Sequence, residues 1–471
     1  MTNFRFLVGL SAFAAVSACS LAPDYDPPSI PAPAAYKELD GWKPATPGDT
    51  LPKDQWWTAF GDSDLDRLEA RASQDNQSLK AGFARLSEAR SVVKQASADL
   101  FPQIGGNAAD ARLRRSATMR PATSPSVYSD EKLSLNVSYE VDLWGRIRNS
   151  IEAAADESAA SAADLAALNL SIQADLAVDY FSLQGADASL RILDQTIIAD
   201  RAALDLVIRR HDGGIAAAAD VAQAKAQLEL AKTQAADIRL KRAQLEHAVA
   251  VLIGVAPAEL QLPAKPLSGE PPAFSAAQPS TLLERRPDVA AAERRVAAAN
   301  ARIGVARAAW YPVFNLGALA GLESAGPGAL LTASSAVWAL GPGSLSQTVF
   351  DGGRIQGQTD QARAAFDEAA ANYRQTTLSA WREVEDQLAA LKHLESESVT
   401  QTEAVAAETE ALTQARYRYQ AGIVTYLEVV VNQNALLSAQ LTETDIRLRR
   451  MTADVLLVKG LGGGWQTNEH E

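Results

Sequence analysis

Few of the residues that commonly carry chemistry are spaced to act together. The four histidines, His211, His247, His393 and His470, stand at no metal-ligand spacing. Methionine occurs only as Met1, Met119 and Met451, which leaves no thioether path for a soft metal. No Gly-x-Ser-x-Gly elbow or phosphate-cradling glycine loop is present, and the Gly-Gly pairs at 213–214 and 352–353 lack the Lys or carboxylate context such loops need. Acidic pairs such as Glu383 and Glu385 lie in heavily charged helical sequence and read as solvated faces. The expectation is a chain with no catalytic constellation, no metal and no cofactor, and therefore no enzyme.

One residue does stand where chemistry is expected. Cys19 is the single cysteine, so no internal disulfide can form. It follows one charge, Arg5, a short apolar run from Phe6 to Val16, and the small residues Ser17 and Ala18. That run is too short to span a bilayer, which takes about 20 residues, and reads as a signal peptide over 1–18. Small residues directly before a cysteine resemble the lipobox of bacterial lipoproteins. The resemblance implies cleavage before Cys19 and acyl chains on it, with Ser20 next in line in place of the Asp that often retains lipoproteins at the inner membrane.

The formal net charge of −13 argues against a nucleic-acid partner, which needs a basic face. No later stretch is a long enough apolar run for a transmembrane helix, so any crossing must be made by β-strands.

Behind these residues lies a duplicated framework. Residues 19–60, rich in Pro and Trp, read as an extended arm. Beyond it, Ala98-Asp99-Leu100-Phe101-Pro102 recurs as Ala308-Ala309-Trp310-Tyr311-Pro312, 210 residues on, and Gly214-Ile215 recurs as Gly422-Ile423, 208 on. Leu176, Leu183, Leu190, Ile197 and Leu204 lie seven apart, and their counterparts Val384, Leu391, Ser398, Val405 and Leu412 are apolar at four positions of five. A seven-residue apolar repeat marks helices packed as in a coiled coil. The expected organisation is a first repeat over 61–254, a linker over 255–280, a second repeat over 281–460 and a tail over 461–471. In each repeat a helical run (64–100; 281–310) leads to strands, then to a very long helix (146–212; 358–421), a glycine-marked turn (near 211–216; 419–424) and a returning helix (215–253; 423–459). A straight 66-residue helix reaches roughly 100 Å, which suits a rod or a tunnel wall rather than a compact domain.

The strands separate a tunnel from a rod. From Leu133 to Leu143, Leu133, Leu135, Val137, Tyr139 and Val141 alternate with Ser134, Asn136, Ser138, Glu140 and Asp142. That pattern fits a half-buried strand of a soluble sheet, or a barrel strand between lipid and a watery lumen. Strands are expected near 103–114, 132–143, 313–323 and 338–350, the first and last with weak patterns. Four strands cannot close a pore, since small membrane barrels start at about eight, so a barrel requires several copies.

At this point the residues resemble a known family. Pro23-Asp24-Tyr25, the run Tyr139-Glu140-Val141-Asp142-Leu143-Trp144-Gly145-Arg146, Phe350-Asp351-Gly352-Gly353-Arg354, and Arg416-Tyr417 through Gly422 to Tyr426-Leu427 are similar to TolC-like outer-membrane efflux proteins, and most of all to their lipoprotein (NodT-type) branch. The resemblance implies a mainly α fold with a membrane β-barrel portion: a homotrimer sharing a barrel of about twelve strands, set in outer-membrane lipid over a hollow periplasmic α-barrel. It implies a passive exit duct docked through a periplasmic adaptor on an inner-membrane transporter of the RND type, with Gly214 and Gly422 at the adaptor-binding tip. The alternative is a coiled-coil lipoprotein spanning the periplasm without conducting. The cargo is not legible.

The chain departs from that family at the aperture. Where lipoprotein members carry a Leu-Asp-Ala-Gln-Arg-like run, Val430-Val431-Asn432-Gln433-Asn434 stands here, and a Pro common before the Phe-Asp-Gly-Gly-Arg motif is Thr348. Asp220 and Glu428 correspond between the repeats, each six residues after its tip glycine. Acids there suit the start of a helix. They are equally the expected charged constriction, with Leu427 as its apolar element and with Val431, Arg416 and Arg418 helping closure.

Overall fold

The computed structural model describes residues 20–33, 35–39, 55–114, 127–267 and 286–463, with isolated positions 116, 118, 269 and 272. The duplication is carried by elements of equal length. Helices α1 (Ser63–Asp75) and α2 (Gln77–Ala98) precede strands β1 (Gln103–Arg114) and β2 (Val127–Val141). The long helix α3 (Arg146–Asp212) and the returning α4 (Ala218–Leu252) follow. The second half repeats this with α5 (Pro287–Ala308), β3 (Val313–Ser324), β4 (Ala336–Ser346), α6 (Arg354–Gln420) and α7 (Tyr426–Gly460). Helices α3 and α6 have 67 residues each, and α4 and α7 have 35 each.

The chain divides into two compact units. One comprises Met1–Ser29, Arg85–Ala162 and Ala291–Arg374 and holds the sheet; the other comprises Ile30–Ala84, Ala163–Ala290 and Gln375–Glu471 and holds the larger cores. In the first unit the strands form one antiparallel sheet in the order β1-β2-β3-β4. In the second, Leu176 and Leu183 of the heptad row are buried, as are their counterparts Val384 and Leu391.

Several expectations are corrected. The helical run expected over 64–100 breaks at Asn76, whose backbone turns extended. Its Oδ1 accepts from the Leu79 amide at 3.0 Å, and its Nδ2 donates to the Leu252 carbonyl at 2.7 Å. A side chain that caps the start of α2 and also satisfies the last carbonyl of α4 starts a new helix more readily than it continues the old one. The second such run, expected from 281, is helical from Pro287, a residue suited to the first turn because it lacks an N–H.

The end of the supposed arm is not an arm. Trp56 and Trp57 are buried, meeting edge to face at 5.9 Å in a core with Leu65, Phe181 and Val249. Each indole removes about 150–250 Å² from water, an upper bound of about 4–6 kcal/mol. β2 begins earlier and ends sooner than the alternation indicated, because Asp142 leaves the ladder to cap α3.

Candidate functional site

The register aligns one apolar face across all four strands. Ile104, Val137, Ala318 and Leu340 form one row; Gly106, Leu135, Ala320 and Trp338 the next; Ala108, Leu133, Leu322 and Ala336 a third. Two further rows place Tyr139 beside Leu316, and Val141 beside Phe314 and Leu345. The rows between carry Asn107 and Ser134 with Val337, Asn136 with Leu319 and Ala339, Gln103 and Ser138, and Glu140, Asn315 and Ser344, so this second face is polar along β1 and β2 and mixed along β3 and β4. The apolar face is bare: Leu135 is 58% exposed, Trp338 74% and Leu340 84%. A bare apolar face of this extent is unfavourable in water and suited to lipid. From Leu133 to Val141 it runs about 27 Å along the strand, the scale of a hydrocarbon band crossed at a tilt.

Each strand-to-helix junction is built from the motif residues. Arg146 grips Glu140 with two parallel hydrogen bonds of 2.7 and 2.8 Å. Asp142 accepts from the amides of Ile147 and Arg148 at 3.1 and 3.0 Å. Trp144 donates its indole N–H to the Pro312 carbonyl at 2.8 Å and stacks on Tyr311 at 4.8 Å, tying the two repeats together. In the second copy Asp351 caps α6 through Gly353 and Ile355, at 2.9 and 2.8 Å.

The helical hairpins turn at Gly214 and Gly422, with φ of 72° and 76°. A side chain at either would meet nothing within 4 Å, so the requirement is the left-handed backbone and not space. The amides of Ile215 and Ile423 reach back to the carbonyls of Arg210 and Arg418, at 2.8 and 2.9 Å. Those two isoleucines are 70% and 68% exposed.

Just above the tip, buried Asp200 of α3 accepts on Oδ1 from Gln433 Nε2 of α7, while its Oδ2 has no partner. Burial raises its pKa to about 6, against the pull of Gln433 and Arg416. Tyr426, beside it, is pushed up to about 12, chiefly by burial.

The match to known proteins is decisive. The model of the outer membrane efflux protein family fits this chain twice, over 68–255 and 278–463. The chain belongs to that family. It is similar to the probable efflux pump outer membrane protein TtgC of Pseudomonas putida, 31% identical over 99% of this chain and 96% of that one. It is also similar to the cation efflux system protein CusC of Escherichia coli O6:H1, 30% identical over 96% of this chain and 97% of that one. The solved CmeC outer membrane channel of Campylobacter jejuni superposes with a TM-score of 0.89 at 25% identity, covering 96% of each chain. This efflux protein accordingly has the TolC-like channel fold and resides in the outer membrane, extending into the periplasm. Its family and relatives are channels.

The aperture residues of this efflux protein are placed as follows. Glu428, the candidate constriction acid, accepts from Arg418 at 2.6 Å, a pairing within its own hairpin. Asp220 accepts from the Ala217 amide at 3.3 Å, as an acid in the first turn should. The structure records no bond between Asp220 and Glu428 among the described residues. Leu427 and Val431 are 51% and 58% exposed. Arg416 lies near Asp200 and Tyr426. Cys19 lies outside the described residues. Nothing in the sequence singled out Asp200, and Gln433, Ile215 and Ile423 carried no assigned role. The two isoleucines could have been found, since they follow the tip glycines in both repeats.

Proposed function

We propose that three copies of this chain close a twelve-stranded barrel and act as the passive exit duct of a three-part export system, with no enzymatic step of its own. The observation that carries this reading is the single bare apolar face of a sheet whose outer strands β1 and β4 each have, among the described residues, one partner. Unpaired strand edges in lipid cost several kcal/mol per group, so they require pairing with further copies. Eight strands leave an interior filled by side chains, whereas twelve leave a passage. A rod without conduction has no use for such strands.

The tips at Gly214 and Gly422, with Ile215 and Ile423 exposed, would meet a periplasmic adaptor, which in turn contacts an inner-membrane transporter of the RND type. A Cys19 anchor is supported by the residues that follow it. Ser20 donates to Asn149 at 2.8 Å, Asn300 to the Pro23 carbonyl at 2.8 Å, and Tyr25 to Glu293 at 2.5 Å. The arm is thereby held along α5 and brings residue 20 to the helix end from which β3 begins.

Mass measurement of the detergent-solubilised complex, followed by single-channel recording, tests the reading. Three chains per particle and steady conductance are expected; a conducting dimer or a non-conducting trimer would overturn it.

A further inference from the structure

Where α5 gives way to β3, the chain forms a cavity of about 370 Å³ lined by Leu21, Arg307, Trp310, Tyr311, Thr359 and Arg363. Two guanidinium groups on one small cavity make a site for an anion with several oxygens. Arg307 spends one N–H on the Leu21 carbonyl at 3.3 Å, and Arg363 has Asp360 at 3.8 Å, beyond hydrogen-bonding distance. Asp360 instead accepts from Gln356 at 2.8 Å on both oxygens. The Trp310 indole N–H is satisfied by Thr359 at 3.2 Å, which fixes the ring at the cavity wall.

Two observations indicate what fills it. The first is position: β3, with its lipid-facing apolar rows, begins at Val313, two residues after Tyr311. The cavity therefore sits at the periplasmic rim of the barrel, where aromatic side chains meet lipid head groups. The second is the repeat. Shifted by 210, Arg307 and Trp310 are Ser97 and Leu100; shifted by 208, Thr359 and Arg363 are Ile151 and Ala155. The first copy builds the same helices and strands without these groups, so the fold does not require them.

We propose that this cavity binds the phosphate of a membrane phospholipid, with Arg307 and Arg363 on the phosphate and with Trp310 and Tyr311 against the glycerol and first acyl carbons. A bound lipid at each rim would fix the depth of the barrel. The proposal rests on the sheet lying in lipid.

Native mass spectrometry of the intact assembly, titrated with phosphatidylglycerol of defined acyl chains, reads the site. One tightly held lipid per chain is expected, with affinity at least tenfold lower in Arg307→Gln/Arg363→Gln. Millimolar inorganic phosphate should displace none of it. Arg67→Gln/Arg382→Gln removes the same charge from exposed ion pairs elsewhere and should leave binding unchanged. Equal lipid retention by the first variant, displacement by inorganic phosphate alone, or no lipid on an intact assembly would each overturn the proposal. Conductance of the same preparations reports on the channel separately: a conducting assembly without the lipid sinks the site and spares the duct.

Discussion

Asp200 and Gln433, 233 residues apart in sequence, meet in the interior above the tip, where the Gln433 amide donates to one carboxylate oxygen and the other oxygen goes without a partner. Helix α3 of the first repeat is thereby linked to α7 of the second. Burial holds the Asp200 pKa at about 6, well above its unfolded value. Glu69 and Asp454, also buried, are raised to about 9 and about 7 for the same reason.

These acids give the protein an unusual pH profile. A native pKa above the unfolded one means that the folded chain binds more protons between the two values, so stability falls as pH rises through that window. For Asp200 the window runs from the ordinary aspartate range to about 6; for Asp454 it extends to about 7, and for Glu69 to about 9. Thermal unfolding in detergent should therefore occur at higher temperature near pH 6 than near pH 8.5. Asp200→Asn should stabilise the neutral protein by about 1–3 kcal/mol and flatten the part of the profile below pH 6. A profile identical to that of the parent would contradict the assignment. Asp62 works in the opposite sense: burial acts to raise its pKa, but hydrogen bonds from Lys265, Gln184 and Tyr180 together outweigh it and hold the pKa low, so its contribution is lost as pH falls into the acid range.

The tip glycines are needed for backbone conformation alone. Gly214→Ala and Gly422→Ala should each cost about 1–2 kcal/mol, because a Cβ is disfavoured at positive φ. Gly357→Ala, at an exposed position within α6 where added bulk meets nothing, should stabilise by about 0.5–1 kcal/mol. Hydrogen exchange at the hairpin tips reads the first effect, and exchange in the first turns of α6 reads the second.

Close approach governs another glycine. A Cβ at Gly304 would come within 2.8 Å of the Ala22 backbone nitrogen and would strike the Asn149 amide. Gly304→Ala should therefore lift the N-terminal arm from α5, seen as faster proteolysis within residues 20–33 while the sheet stays protected.

At the aperture, Arg418 and Glu428 are both partly exposed, so their pairing contributes at most about 1 kcal/mol and is screened by salt. Glu428→Gln should leave stability nearly unchanged while releasing the Arg418 charge, lowering cation preference in reconstituted channels. Leu427→Ala should raise resting conductance. Unchanged current and selectivity in both would place the gate elsewhere.

What was legible followed from strong periodicity. The heptad row of α3 and its copy in α6, the tip glycines and the alternation of β2 all rest on local patterns that the sequence displays directly. β4 was hard to read for a physical reason. A register shift opposite Leu316 and Ala318, at Gly341 and Pro342, puts Leu345 and Leu340 on one face although their numbers differ in parity. A bulge of this kind breaks period two. β1 is faint because Gly105, Gly106, Ala108 and Ala109 give the alternation little amplitude. The Arg418–Glu428 and Asp200–Gln433 links join helices through tertiary packing, and no single-helix pattern encodes them. The junction motif carried the family signal, yet its geometry is structural: Arg146, Glu140 and Asp142 fasten a strand to a helix.

A membrane barrel requires that one face of this sheet meet lipid and the other meet water. Spin labels placed singly at Leu135→Cys and Trp338→Cys on the apolar rows, and at Ser134→Cys and Asn136→Cys on the polar ones, measure this in reconstituted bilayers. The first pair should relax with oxygen dissolved in the lipid, and the second with a water-soluble nickel chelate. Equal access of the chelate to all four positions would contradict a membrane barrel.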